Sequence, residues 1–221
     1  TIDSAYPLEN WGELFSGQSV MLRVDLGTGL GHHKYVCTGG NDSKFGMPLD
    51  QLDSVKACLK QHNITALGLH AHSGSGILQS QHWQNNAKKL IALLEQFPGT
   101  RILNLGGGLG VDYLQTEQGL SWPTIINDLA IIKARAGVSE LWLELGRYAV
   151  AEMGYYVTSV VDRKQNFQQQ QLVLAGGINH LLRPAITEQP FPVAMLREST
   201  ATPCYFDLHG PLCTSLDKLG T

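Results

Sequence analysis

Four short apolar runs, separated by three helix-length stretches, constrain the fold of this chain more than any other feature. The runs are Ser19–Asp25 (SVMLRVD), Ile64–His70 (ITALGLH), Arg101–Leu105 (RILNL) and Glu140–Leu143 (ELWL). The stretches between them carry helical spacing. Leu52, Val55 and Leu59 share one face, and Asp50 can cap that helix with Asp53 in its first turn. Trp83, Ala87, Leu90 and Leu94 fall at i, i+4, i+7 and i+11, and Pro98-Gly99 ends the pattern. Pro123 and Gly137 bracket a third helix whose stripe is Ile125, Leu129, Ile132 and Ala136. Strands separated by helices pair in parallel, so residues 1–150 are expected to form an α/β region. Beyond Glu144 the pattern changes. Tyr155–Asp162 alternates as a strand, Gln168–Gln171 reads as a polar turn, and Leu172–Leu174 resumes as a strand. Prolines 190, 192, 203 and 211 punctuate the rest, so residues 151–221 are expected to be all-β.

Composition excludes several classes of function. Only 16% of the 221 residues are charged and 43% are apolar, which fits a large buried interior and not a disordered chain. Net charge is −3 with no basic stripe, which argues against nucleic acid as a partner. No apolar run reaches membrane-spanning length, and Thr1-Ile2-Asp3-Ser4 lacks the form of a signal peptide. Cys37, Cys58, Cys204 and Cys213 show no paired spacing and read as reduced thiols of a cytoplasmic protein. The chain opens on threonine, as expected of a processed or cut product.

The polar residues cluster just beyond the C-terminal ends of the expected parallel strands, where α/β folds place their chemistry. They are Asp25, His70 and His72 with Ser73-Gly74-Ser75-Gly76, then Gly106-Gly107-Gly108-Leu109-Gly110, then Glu144-Leu145-Gly146-Arg147. Two glycine loops on one edge suit a phosphate, with backbone N–H groups close to the anion, a following helix dipole, and the Ser75 hydroxyl. The GxGxxG spacing of a dinucleotide site is absent. His70 and His72 at alternate positions suggest a metal pair, but no third ligand has matching placement, His32-His33 belonging to another loop, and no metal is expected. Glu144 and Arg147 read either as an ion pair with each other or as a carboxylate facing a protonated heteroaromatic nitrogen. With a phosphate cradle and a stacking histidine, the second reading describes a pyridoxal phosphate pocket.

The segments at 23–46 (RVDLGTGLGHHKYVCTGGNDSKFG), 68–77 (GLHAHSGSGI), 103–111 (LNLGGGLGV), 144–154 (ELGRYAVAEMG), 176–185 (GGINHLLRPA) and 209–217 (HGPLCTSLD) resemble fold-type III pyridoxal-phosphate decarboxylases. Among these the resemblance is to diaminopimelate decarboxylases, including the form fused to an aspartate kinase. It implies a (β/α)8 barrel followed by a β domain, in a head-to-tail homodimer with active sites at the interface. Residues 1–150 would be part of the pyridoxal-phosphate-binding barrel and 151–221 part of the β domain. By motif, His72 would stack on the pyridine ring, and Ser75, Gly106, Gly107 and Gly108 would hold the phosphate. Glu144, within the Glu144–Arg147 motif that includes Gly146, would keep the ring nitrogen protonated. Arg147 and Arg183 would hold phosphate or the substrate, a small amino acid. Cys213 would return a proton to the carbanion in the partner subunit's site, where a thiol with an ordinary pKa of roughly 8.5 suits a donor near neutral pH.

Three departures from the family pattern bear on function. Lys34, Lys44, Lys88 and Lys89 do not occupy the motif of the Schiff-base lysine, and the late active-site tyrosine is also absent. Thr214, a substrate-contact position, stands where diaminopimelate decarboxylases carry a glutamate for the distal amino group, and Thr187 stands where a tyrosine is usual. The expected activity is decarboxylation of an amino acid, with meso-diaminopimelate giving L-lysine and CO2 as the model. The alternatives are a relative acting on a different or carrier-linked amino acid, and a non-catalytic relative. A (β/α)8 barrel takes roughly 250 residues, so this chain is expected to be a fragment holding half a barrel, inactive and unstable alone.

Overall fold

The computed structural model describes residues 1–27, 30–31, 43–114, 119–189 and 191–221. His32, His33, Lys34, Cys37 and Pro190 lie outside the described residues. The chain divides into two units, one of Thr1–Asp112 with Glu117–Ala151, the other of Tyr113–Thr116 with Glu152–Thr221.

In the first unit the four apolar runs become strands: β1 (Ser19–Arg23), β3 (Thr65–His70), β5 (Ile102–Asn104) and β6 (Glu140–Trp142). They form one sheet in the order β1-β3-β5-β6, with every pairing parallel. Helices α2 (Leu52–Gln61), α3 (Gln81–Leu93) and α4 (Trp122–Ala136) connect successive strands, and a short α1 (Tyr6–Trp11) precedes β1. The apolar stripes point inward as their spacing predicts: Leu52, Val55, Leu59, Trp83, Ala87, Leu90, Ile125 and Ile132 are all buried in one core with Leu22, Leu69 and Leu103. Each fully buried leucine of this kind stabilises by about 1.5–3 kcal/mol relative to exposure. Helix α4 ends as its sequence requires. Gly137 takes the left-handed conformation at φ +64°, and its N–H donates to Lys133 O at 3.1 Å. The start of α2 differs from expectation. A 3-10 turn over Leu49–Gln51 leads into it, and its first residues have no side-chain cap. Asp50 lies within that turn, and Asp53 pairs with Lys56 at 2.8 Å instead.

Beyond the sheet's C-terminal edge the loops pair with one another. A two-residue ladder joins β2 (Leu30–Gly31) to β4 (Gly74–Ser75), and Ile77 bridges Leu109. Ile77 N–H donates to Gly108 O at 2.9 Å and Gly110 N–H to Ile77 O at 2.8 Å. This pairing carries the chain away from the glycines before a helix begins. Helix α3 starts at Gln81 and α4 at Trp122, so neither glycine loop runs directly into the helix N-terminus expected there. A four-residue helix, α5 (Arg147–Val150), follows β6.

The second unit holds a four-stranded sheet, β10-β9-β8-β7, built from β7 (Val160–Asn166), β8 (Gln169–Leu174), β9 (Asp207–His209) and β10 (Lys218–Gly220). Pairings β7/β8 and β9/β10 are antiparallel and β8/β9 is parallel. The glutamine run is strand and not turn. The hairpin closes one step earlier, across Phe167-Gln168, with Asn166 opposite Gln169 and Phe167 at φ +54°. The strand expected over Tyr155–Asp162 accordingly starts at Val160 and runs to Asn166, where β8 supplies its partner. One short helix, α6 (Arg183–Thr187), interrupts the expected all-β pattern. No helix among the described residues is long and apolar enough to cross a membrane.

Candidate active site

His72, Ser75, Gly107, Gly108, Glu144 and Arg147 line one cleft of about 500 Å³ at the C-terminal edge of the parallel sheet. They come from three separate strand ends, which the register of β3, β5 and β6 sets side by side. Main-chain bonds from Leu105 N–H to Trp142 O, at 3.0 Å, and from Glu144 N–H to Gly106 O, at 2.9 Å, extend the last pairing into the loops.

The glycine loop is shaped by close backbone approach. Gly106 and Gly108 have φ of +68° and +94°. A Cβ on Gly106 would lie 2.6 Å from Ala71 O, and one on Gly108 would collide with Gly74 O. Two of the three loop amides turn inward: Gly106 N–H donates to Asn104 Oδ1 at 2.9 Å and Gly107 N–H to His72 Nδ1 at 3.0 Å. Trp83 Nε1–H braces the same loop through Gly107 O at 3.3 Å. The serine-glycine loop is anchored to α3 by a buried network, in which Asn86 Nδ2 donates to Ser73 Oγ at 2.5 Å and lies 3.0 Å from His82 Nε2.

The electrostatics separate the two charged side chains of the cleft. Glu144 and Arg147 do not pair with each other. Arg147 Nη2 donates to Ser75 Oγ at 2.9 Å, and Asn104 Nδ2 donates to Glu144 Oε1 at 2.9 Å. No carboxylate pairs with Arg147 among the described residues, so its charge faces the cleft beside a neutral partner. Glu144 is about half exposed, its side chain at 53%. His70, only 4% exposed, lies with Nε2 3.4 Å from Glu144 Oε1, but its ring makes no hydrogen bond among the described residues. Burial pushes its pKa down to about 4, against the opposing pull of Glu144, so the ring is neutral near pH 7 and the contact is not an ion pair. Burial also lowers the pKa of His72. Its Nδ1 accepts from Gly107, which leaves the proton of the neutral ring on Nε2. The two histidines are not a metal pair, since one is sealed in the core and the other bonded to the glycine loop. No group of three or more metal-ligating side chains occurs among the described residues.

The remaining expected residues lie in the second unit. Arg183 is half-buried at the first position of α6. Thr187 is buried, and its hydroxyl donates to Arg183 O at 2.9 Å. Cys213 and Thr214 are both exposed. Two residues passed over in the sequence organise these loops. Asn104 joins the glycine loop to Glu144. Asp217, 1% exposed, accepts Ile178 N–H and Leu212 N–H at 2.7 Å each. A polar residue between two leucines of the apolar run RILNL was the available signal for Asn104. Asp217 had no comparable signal, because its partners are main-chain groups.

The donor set fits pyridoxal phosphate: a cation without a carboxylate partner, a hydroxyl, an imidazole and a held carboxylate share one cleft. Comparisons with known proteins agree. Residues 1–151 match the family model described as pyridoxal-dependent decarboxylase, pyridoxal binding domain. The diaminopimelate decarboxylase of Deinococcus radiodurans is 32% identical over 203 residues, covering 92% of this chain and 51% of the relative. A crystal structure of a diaminopimelate decarboxylase superposes with a TM-score of 0.85 at 28% identity, covering 98% of this chain and 54% of the other. The M. jannaschii diaminopimelate decarboxylase in co-complex with L-lysine gives 0.80 at 26% identity, over 100% of this chain and 54% of that one. The chain thus spans about half the length of the relatives it matches.

Proposed function

Since the chain belongs to the pyridoxal-dependent decarboxylase family, we propose that it contributes a cofactor cleft and a β-domain turn to an enzyme that decarboxylates an amino acid, meso-diaminopimelate giving L-lysine and CO2. The separate partnering of Glu144 and Arg147 carries this reading, because it leaves one carboxylate and one guanidinium available in the same cleft. Pyridoxal phosphate, when bound, supplies an electron sink for the carbanion left as CO2 departs. Glu144 would hold a proton at the ring nitrogen, which would keep that sink effective. His72 would pack on the ring face. Arg147 and Ser75 would bind the phosphate. Gly108 is the loop glycine whose N–H has no protein partner among the described residues, so it adds the loop's donor. Arg183 holds a substrate carboxylate. Cys213, in its exposed turn, returns a proton in the site of a second copy arranged head to tail. No lysine lines the cleft among the described residues, so the complete catalytic set needs one from outside them.

A second reading concerns the substrate alone. Thr214 has no carboxylate to offer a distal ammonium, and the Thr187 hydroxyl is bonded to its own helix. Both observations favour a different or carrier-linked amino acid. CO2 release should be measured with the natural protein that carries this chain, offering meso-diaminopimelate, L-ornithine and L-arginine in turn. Release that depends on pyridoxal phosphate and is greatest with meso-diaminopimelate is expected. Preference for another amino acid would establish the second reading, and no release from any would overturn both.

A further inference from the structure

Asn104 is the last residue of β5 and is only 4% exposed. A buried amide must satisfy both its ends. Here the two ends reach different halves of the cleft. Oδ1 accepts Gly106 N–H at the start of the glycine loop, and Nδ2 donates to Glu144 Oε1, both at 2.9 Å. The orientation follows from the partners, because a backbone N–H can only donate and an ionised carboxylate can only accept. Glu144 needs this partner. Its side chain is 53% exposed, and Arg147 lines the same cleft. A carboxylate free to rotate beside a guanidinium without a carboxylate partner would collapse onto it, and both charges would be lost to a ligand.

We propose that Asn104 is a positioning residue that holds Glu144 apart from Arg147 and ties the carboxylate to the glycine loop, fixing the spacing between the ring-nitrogen end and the phosphate end of the cofactor cleft. The proposal rests on the reading of the cleft given above. Asp at this position keeps the acceptor for Gly106 but sets a second carboxylate against Glu144.

The test uses the natural protein that carries this chain and two kinds of readout. Without cofactor, the Asn104 side-chain amide resonances in 15N NMR should move when the half-exposed Glu144 of the cleft is changed by Glu144→Ala. Unmoved resonances would overturn the proposal. With pyridoxal phosphate titrated in, Asn104→Asp should weaken binding at least tenfold, as loss of a hydrogen bond to a charged group implies. The same substitution should have little effect in the Glu144→Ala background, because its penalty acts through Glu144. An equal loss in both backgrounds would show a merely structural asparagine and overturn the proposal. Failure of the wild-type protein to bind pyridoxal phosphate would count against the proposed function, and the cofactor-free resonances would still decide the role of Asn104.

Discussion

His70 shows how a single buried side chain sets a property of the site's surroundings. Its folded pKa lies near 4, below the ordinary value of 6.5, so the unfolded chain binds the proton first as pH falls. The stability that depends on its neutral form is present above pH 6.5 and is lost as pH falls towards 4. The loss attributable to this group is about 3 kcal/mol. His72 and His82, also lowered by burial, add to the same slope. Urea denaturation across that pH range should show a shallower dependence in His70→Phe than in the wild type. Gly108 is a second case. At φ +94°, with Gly74 O in the way of any Cβ, Gly108→Ala should destabilise the chain by about 2 kcal/mol or more in the same assay. The glycines of this loop were legible as special from their clustering. The opposing carbonyl that requires one at 108 was not, because Gly74 is 34 residues away in the chain and is brought there by strand register.

At the scale of elements, the turn bearing Cys213 and Thr214 depends on Asp217. The carboxylate bonds one N–H on each of two loops, Ile178 in the first and Leu212 in the second, and Gly210 N–H closes onto its main-chain oxygen at 2.9 Å. A Cβ at Gly177 or Gly210 would collide with its oxygens, so the staple is packed as well as bonded. Asp217→Ala leaves two amides without their acceptor and should cost about 3 kcal/mol in the second unit, with faster hydrogen exchange at Leu212 and Ile178. The strands and helices of the first unit were legible because their apolar spacing repeats locally. The second unit was less so. The glutamines of β8 carry no apolar alternation, and they are strand because β7 and β9 flank them.

At the scale of the whole molecule, exposed apolar surface dominates the expected behaviour of this chain in solution. Among the described residues, β6 pairs only with β5, and Trp142 on it is exposed, as are Trp122, Ile126 and Ile131 on α4. An open strand edge beside large apolar side chains favours association. Sedimentation velocity of the chain should therefore show mass rising with concentration, and Ile126→Glu should reduce that rise. The order of strands and helices, the buried stripes, and the placing of His72, Ser75, Glu144 and Arg147 at strand ends all followed from the order of residues, because periodicity and strand-end position are properties of local sequence. Which groups touch did not follow. That Glu144 is held by Asn104 and not by Arg147, that the amides of Gly106 and Gly107 turn inward, and that His70 is neutral in the core were decided by tertiary structure. The Asn104–Glu144 and His72–Gly107 contacts join strand ends 40 and 35 residues apart in the chain, which only the register of the parallel sheet brings together, and the neutrality of His70 follows from its burial in the core.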